Sequence, residues 1–443
     1  MIRVLYNLAL WAAQPLLRRK LRRRGRAEPG YVHAVEERFG HYTVARPDAD
    51  AAAGRPLVWV HAVSLGETRA AAILLAELRR QQPGLRLLLT HGTATGRADG
   101  AALLQAGDVQ VWQPWDTPGA VRRFVQHFRP DVGVLMETEV WPNLIAECAA
   151  QGVPLALANA RLSAKSLRGA ERFGALMRPA YAALAAVWAQ TEADAARLRQ
   201  IGAPVAGVFG NLKFDAQPDP SRLALGRQWR TTAGRPVVML ASSREGEELA
   251  FLKQIQALAL VNPAQAAIKT EANQPATPQW LIVPRHPQRF DEVAELVRAQ
   301  GLSVSRRSAW EKGDGGTPQP ADVWLGDSLG EMAAYYALAD VALLGGSFEP
   351  LGGQNLIEPA ACGCPVIMGP HTFNFAQAAE LAQAAGAAQR VPDMAAGVAA
   401  AQALLADSAA LQAMRTAALG FVGAHRGAAQ RTASAVLSLA ANP

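Results

Sequence analysis

Carboxylates at the ends of apolar runs are the first candidates for chemistry in this chain. His61-Ala62-Val63-Ser64-Leu65-Gly66-Glu67-Thr68 follows one such run. Gly66 permits a tight turn, and Glu67 falls at the start of the next helical stretch. A carboxylate there either complements the helix dipole or serves as a general base. Glu137 and Glu139 flank Thr138 at the end of a second run, just before a helix opened by Pro142. Close carboxylates raise each other's pKa and suit acid–base work or sugar-hydroxyl contacts. Capping and solvation are the plainer alternative. Gly210-Asn211-Leu212-Lys213 closes the first half of the chain. Lys213 either stabilises negative charge or is an ordinary surface lysine.

The second half offers groups for an anion. Ser242 and Ser243 open the stretch Ser242-Ser243-Arg244-Glu245-Gly246-Glu247-Glu248, whose hydroxyls and N–H groups at a helix start suit a phosphate. The G-x-x-x-x-G-K-[ST] loop is missing, which disfavours a P-loop triphosphatase. Pro284-Arg285-His286-Pro287 fixes an arginine whose planar fork could grip phosphate. Gly345 to Ala360 is the densest stretch: its glycines let a ligand approach the backbone, and Asn355 and Glu358 share a helix face. Amides there could hold phosphate while Glu358 accepts from ribose hydroxyls. A capping box of Asn355 with Glu358 is compatible with that role. No H-E-x-x-H, G-x-S-x-G or zinc spacing occurs, so no metal and no resident cofactor is expected. The three cysteines, Cys148, Cys362 and Cys364, form no disulfide framework and fit a reducing compartment.

These groups need elements to hold them. Runs at 57–62, 85–90, 109–112, 132–136, 155–158, 187–190 and 205–209 are almost continuously apolar. Strands of a parallel sheet covered on both faces read that way. Ala-rich helical stretches such as Arg69–Gln81 and Pro118–Phe128 alternate with them. A second series runs at 237–241, 280–283, 303–305, 323–325, 341–344 and 366–368. The spacing predicts two doubly wound α/β domains divided near residue 218, with a ligand crevice at the carboxyl ends of the strands. Residues 261–279 read as an exposed insertion, and 407–439 as a closing helix.

The net charge of +7 points superficially to nucleic acid. Eight of the bases lie within the first 26 residues, and subtracting them leaves 36 bases against 37 acids. A general nucleic-acid surface is thereby disfavoured. The apolar run from Val4 to Leu17, with Tyr6 and Trp11, precedes the cluster Arg18-Arg19-Lys20-Leu21-Arg22-Arg23-Arg24. It is shorter than the roughly 20 residues of a bilayer span. The order of charges does not fit a secretory signal. A cytoplasmic-side membrane anchor, interfacial or shallowly inserted, is the expectation. A soluble amphipathic helix is the alternative.

Together the motifs resemble the Kdo (3-deoxy-D-manno-octulosonic acid) transferases of Gram-negative bacteria. The similar stretches are Glu37-Arg38-Phe39-Gly40, His61–Glu67, Glu137–Leu144, Gly210–Lys213, Pro284–Pro287, Gly330-Glu331-Met332 and Gly345–Pro359, which span nearly the whole chain. The resemblance implies the GT-B architecture: two Rossmann-like domains facing across a central cleft. Residues 1–26 would be the anchor helix, 27–218 the acceptor domain and 219–443 the donor domain, with the last helix free to return to the first domain. It implies inverting transfer of Kdo from CMP-Kdo to the acylated diglucosamine precursor of lipid A, without a metal, on the cytoplasmic face of the inner membrane. Glu67 would be the base, and Glu137 and Lys213 would stabilise the transition state. Pro284, Arg285, Gly330, Glu331, Met332, Asn355, Leu356, Ile357 and Glu358, with Ser242 and Ser243, would hold CMP. Ser64, Gly66 and Glu139 would lie on the acceptor side. Another nucleotide-sugar transferase or an epimerase of the same architecture remains the alternative reading.

Overall fold

The structure, a computed structural model, describes residues 2–47, 55–261, 277–310 and 316–441. Most of the expected insertion at 261–279 therefore lies outside the described residues. The chain forms two compact units, Met1–Asp215 with His425–Pro443, and Ala216–Ala424.

The first unit is built on seven strands: β1 (Leu57–His61), β2 (Arg86–His91), β3 (Val109–Trp112), β4 (Val132–Met136), β5 (Leu155–Ala160), β6 (Ala186–Ala189) and β7 (Val205–Val208). Their order is β3-β2-β1-β4-β5-β6-β7, and every pair is parallel. The apolar runs are continuous because each strand is covered twice. Leu57 and Trp59 point into one core with Phe124 and Phe128, while Val58 and Val60 point into another with Leu74 and Leu78. Gly133 in β4 is required by this packing. A Cβ there would lie 2.5 Å from Leu155 Cδ1 and 2.6 Å from the Trp59 ring.

The second unit repeats the plan with β8 (Val237–Ser243), β9 (Gln279–Pro284), β10 (Val304–Arg306), β11 (Val323–Leu325), β12 (Val341–Leu344), β13 (Val366–Met368) and β14 (Ala388–Arg390), in the order β10-β11-β9-β8-β12-β13-β14. These pairs are parallel too. The edge strand β14 was not expected: Ala-Gln-Arg lacks the β-branched signature, and register with β13 makes it a strand.

In an open parallel sheet, ligands bind beyond the carboxyl ends of strands where the order reverses. The reversals fall between β1 and β4 in one unit and between β8 and β12 in the other.

Two helical regions differ from expectation or extend it. The closing stretch is two helices, Ser408–Ala424 and Ala428–Ala441, separated at Gly427 with φ +98°. The Asp215 carboxylate accepts the N–H groups of Gly427 and Ala429 at 2.5 and 2.8 Å, which caps the second helix and ties it to the first unit. There Ala429, Ala433 and Val436 share a core with Ala71 and Leu74.

The N-terminal run forms a helix, Ile2–Gly25. One face is bonded to the first unit. The Tyr6 hydroxyl donates to Asp116 at 2.9 Å, Arg3 Nε to Asn143 at 3.0 Å, and Asn143 Nδ2 to Asn7 at 2.7 Å. Val4, Leu5, Leu8, Trp11 and Leu16 are exposed, Trp11 to 72%. Among the described residues, no single helix is long and apolar enough to cross a membrane.

Candidate active site

The turn after β1 carries Glu67 in the first turn of helix Leu65–Gln81. Ser64 caps this helix: its Oγ accepts the Glu67 N–H at 3.4 Å and donates to Glu67 Oε1 at 3.3 Å. Oε2 accepts the Val63 N–H at 2.7 Å. Ser64 and Glu67 thus form a reciprocal cap, which fixes the carboxylate in one orientation. Burial pushes Glu67 up to about 7. The Val63 N–H and the Ser64 hydroxyl pull downward, while the charges of Glu139 and Glu137 add to the rise. A carboxylate held near neutrality is suited to accept a proton at cellular pH.

Glu137 and Glu139 follow β4. Glu137 adopts φ +58°, a left-handed backbone that costs a non-glycine residue roughly 1–2 kcal/mol. Its N–H bonds Ala158 O at 3.0 Å and its carbonyl accepts the Arg161 N–H at 3.2 Å, so β5 enforces the conformation. Its buried carboxylate lies 3.0 Å from Arg161 Nε and 4.0 Å from Lys213 Nζ. Glu139 accepts Trp141 Nε1–H at 2.8 Å, and burial raises its pKa, with Glu137 adding to the effect. Three carboxylates and two cations therefore share one strand-end cluster.

Lys213 sits on a 3-10 turn, Leu212–Asp215. Asn211 Oδ1 accepts the Lys213 N–H at 3.0 Å, and Asn159 Oδ1 accepts the Leu212 N–H at 3.1 Å. Asn159 is 2% exposed, has φ +51°, and its Nδ2 has no hydrogen-bond partner. At the end of β1, His61 is fully buried with Nδ1 at 2.9 Å from Thr90 Oγ1. Burial, then His91, pushes it down to about 3, so it stays neutral and acts as a fixed polar support.

In the second unit, Ser242 has φ +55° near the end of β8, where the register with β9 shifts. The Ser243 hydroxyl is buried and donates to Glu248 at 2.8 Å, and Arg289 reaches the same carboxylate at 2.6 Å. Pro284 ends β9, and the Arg285 N–H bonds Ser243 O at 3.0 Å, leaving Arg285 on the surface at the strand ends. Partial burial lowers the pKa of His286, and Arg244 and Arg285 lower it further, which marks a local concentration of positive charge. Gly330 has φ +76° and precedes Glu331, whose carboxylate pairs with Arg222 and Arg307, both at 3.1 Å. Met332 starts the following helix. In the glycine loop, Asn355 Oδ1 accepts the Ile357 N–H at 3.1 Å. The helix there, Ile357–Ala361, is a single short turn; Leu356 and Ile357 are buried and Glu358 is half-buried. Asn355 thus bonds the N–H two residues ahead.

Among the described residues, no three His, Cys, Asp or Glu side chains converge as metal ligands. The cysteines are free, and burial pushes Cys148 and Cys362 up to about 12.

Residues 33–216 match the family model described as 3-deoxy-D-manno-octulosonic-acid transferase (kdotransferase). A 3-deoxy-D-manno-octulosonic acid transferase of Bordetella pertussis is 50% identical over 98% of both chains. The chain belongs to the Kdo transferase family. It is a glycosyltransferase. A Haemophilus influenzae Kdo transferase is 32% identical, covering 85% of this chain and 84% of that one. A solved Rickettsia africae glycosyltransferase covers 88% of this chain and 100% of its own, with a TM-score of 0.55 and 13% identity, a likeness of fold alone.

Three residues near the strand ends, Asn159, Arg161 and Glu247, escaped the sequence reading. Asn159 and Arg161 lie where the apolar β5 run turns polar, a signal that stopping the strand at Ala158 hid. Glu247 lay in plain view within the acidic stretch after β8, where its own backbone neighbours were read as free for an external anion.

Proposed function

We propose that this chain transfers Kdo from CMP-Kdo to a hydroxyl of the acylated diglucosamine precursor of lipid A, inverting the anomeric centre, as a step of lipopolysaccharide biosynthesis. The observation that carries the reading is Glu67, oriented by Ser64 and Val63 and held near neutrality beside Glu137, Glu139 and Lys213. The acceptor oxygen attacks the anomeric carbon as its proton passes to Glu67. The bond from that carbon to the phosphate oxygen breaks, and CMP departs as a phosphate monoester. Lys213 and Arg161 offset charge around Glu137 as the transition state forms, and Ser64, Gly66 and Glu139 border the acceptor.

The second unit is read as the donor site. Arg285, Ser242 and Ser243, Pro284, Gly330–Met332 and Asn355–Glu358 all lie at or near strand ends of its sheet. The exposed apolar face of Ile2–Gly25 and its basic last turn support attachment to an anionic membrane surface. The cytoplasmic face of the inner membrane is the natural site for an enzyme with a lipid acceptor and a nucleotide-sugar donor.

Incubating the purified protein with CMP-Kdo and the tetra-acylated precursor, then measuring the product mass, tests the proposal. A gain of one or more Kdo residues is expected. No gain would overturn it.

A further inference from the structure

Glu247 has no exposed surface, yet its carboxylate lies where β8 and β12 part. Oε2 accepts the N–H groups of Arg244 at 2.9 Å and Gly346 at 2.8 Å, and Oε1 accepts that of Phe348 at 3.1 Å. One donor belongs to the loop after β8 and two to the glycine loop after β12. The glycine loop also meets the end of β8 closely: a Cβ on Gly345 would lie 2.3 Å from Ser242 O. Glu247 therefore clasps both loops of the switch point into one piece. Gly353 and Gln354 donate to the carbonyls of Gly346 and Gly345, at 2.7 and 3.1 Å, so these N–H groups are also engaged.

In open α/β sheets, main-chain N–H groups at this place commonly cradle nucleotide phosphate. Here a carboxylate of the chain itself occupies the donors. A phosphate brought to them would meet a negative charge and amides already bonded. Two cations, Arg244, paired with Glu245 at 3.0 Å, and Arg285, follow the ends of β8 and β9 instead. They can serve one phosphate without help from the glycine loop.

We propose that Glu247 is a specificity-determining residue: its built-in carboxylate confines the donor site to nucleoside monophosphate conjugates and excludes diphosphates. This rests on the reading of the second unit as the donor site. It acts by occupying amides and repelling a second phosphate, not by touching the reacting atoms.

CMP and CDP serve as probes, titrated calorimetrically into the full-length protein. Wild type is expected to bind CMP about tenfold or more tightly than CDP. Glu247→Gln, folded by circular dichroism, is expected to narrow the gap to about threefold, chiefly by tighter CDP binding. Glu247→Asp keeps the charge and is expected to keep the preference, so the pair separates charge from packing. The proposal is overturned alone if wild type binds CMP and CDP equally, if the folded Gln variant keeps the full gap, or if the Asp variant loses it. Failure of wild type to bind either nucleotide would remove the donor-site reading as well.

Discussion

The side-chain carbonyl of Asn159 holds the backbone N–H of Leu212 at 3.1 Å, joining the end of β5 to the turn that carries Lys213. Both groups are buried, so the bond has no ready substitute from water.

Asn159→Ala is therefore expected to release the Lys213 turn. An unpaired buried N–H costs about 1–3 kcal/mol, and alanine tolerates φ +51° poorly. Turnover should fall about tenfold with donor KM little changed, because the turn lies in the first unit. Asn159→Asp keeps an acceptor and should recover most of the loss. Unchanged turnover in the alanine variant would show that Lys213 needs no such support.

Glu67→Gln should reduce transfer by about a thousandfold while leaving CMP affinity intact. The pH profile gives an independent check. A base works only when ionised, so with its pKa near 7 the rate should climb about tenfold per pH unit below neutrality and level off above. Glu139→Gln removes a negative charge that helps raise Glu67, and should shift the rising limb to lower pH. A limb that stays in place would exclude that coupling.

The N-terminal helix predicts a membrane phenotype separable from folding. Leu8→Glu with Trp11→Glu alters only exposed positions, so stability should change by no more than about 0.5 kcal/mol. Sedimentation with anionic vesicles should be lost, while turnover on a short-chain, water-soluble acceptor is retained. Deleting residues 1–26 should give a soluble, folded enzyme with reduced activity on membrane-embedded acceptor. It also removes the Tyr6 partner of Asp116, so it should cost more stability than the double variant. Full pelleting of the truncated protein with membranes would refute the anchor.

Exhaustive dialysis against EDTA should leave the rate within about twofold, since charge at the first site is met by Lys213 and Arg161. A loss restored by added Mg²⁺ would show that an ion takes part.

The two sheets were legible because buried parallel strands leave an unmistakable apolar run, and Trp59 or Leu240 can sit nowhere else. The strand ends were legible as places, since chemistry-bearing residues interrupt those runs. Partnership was not. Nothing in the spacing says that Ser243 turns inward to Glu248, that Glu331 is held between Arg222 and Arg307, or that Glu247 fills the cradle its loop seemed to offer. The last of these comes from register between β8 and β12, which places Glu247 in hydrogen-bonding contact with Gly346 and Phe348, about a hundred positions away. The break at Gly427 was hidden for a similar reason: Asp215, far away in the chain, supplies the cap.

The helix Ala428–Ala441 completes the core of the first unit, though residues 216–424 intervene. On the ribosome, the second unit has its whole sequence available while the first still lacks a wall. Leu74 and Leu75 must wait for Ala433 and Val436 to be synthesised. The unit that emerges first is thus the one that closes last, a reversal of the usual order of cotranslational folding. A nascent chain stalled before residue 428 would present the uncovered side of helix Leu65–Gln81 to chaperones.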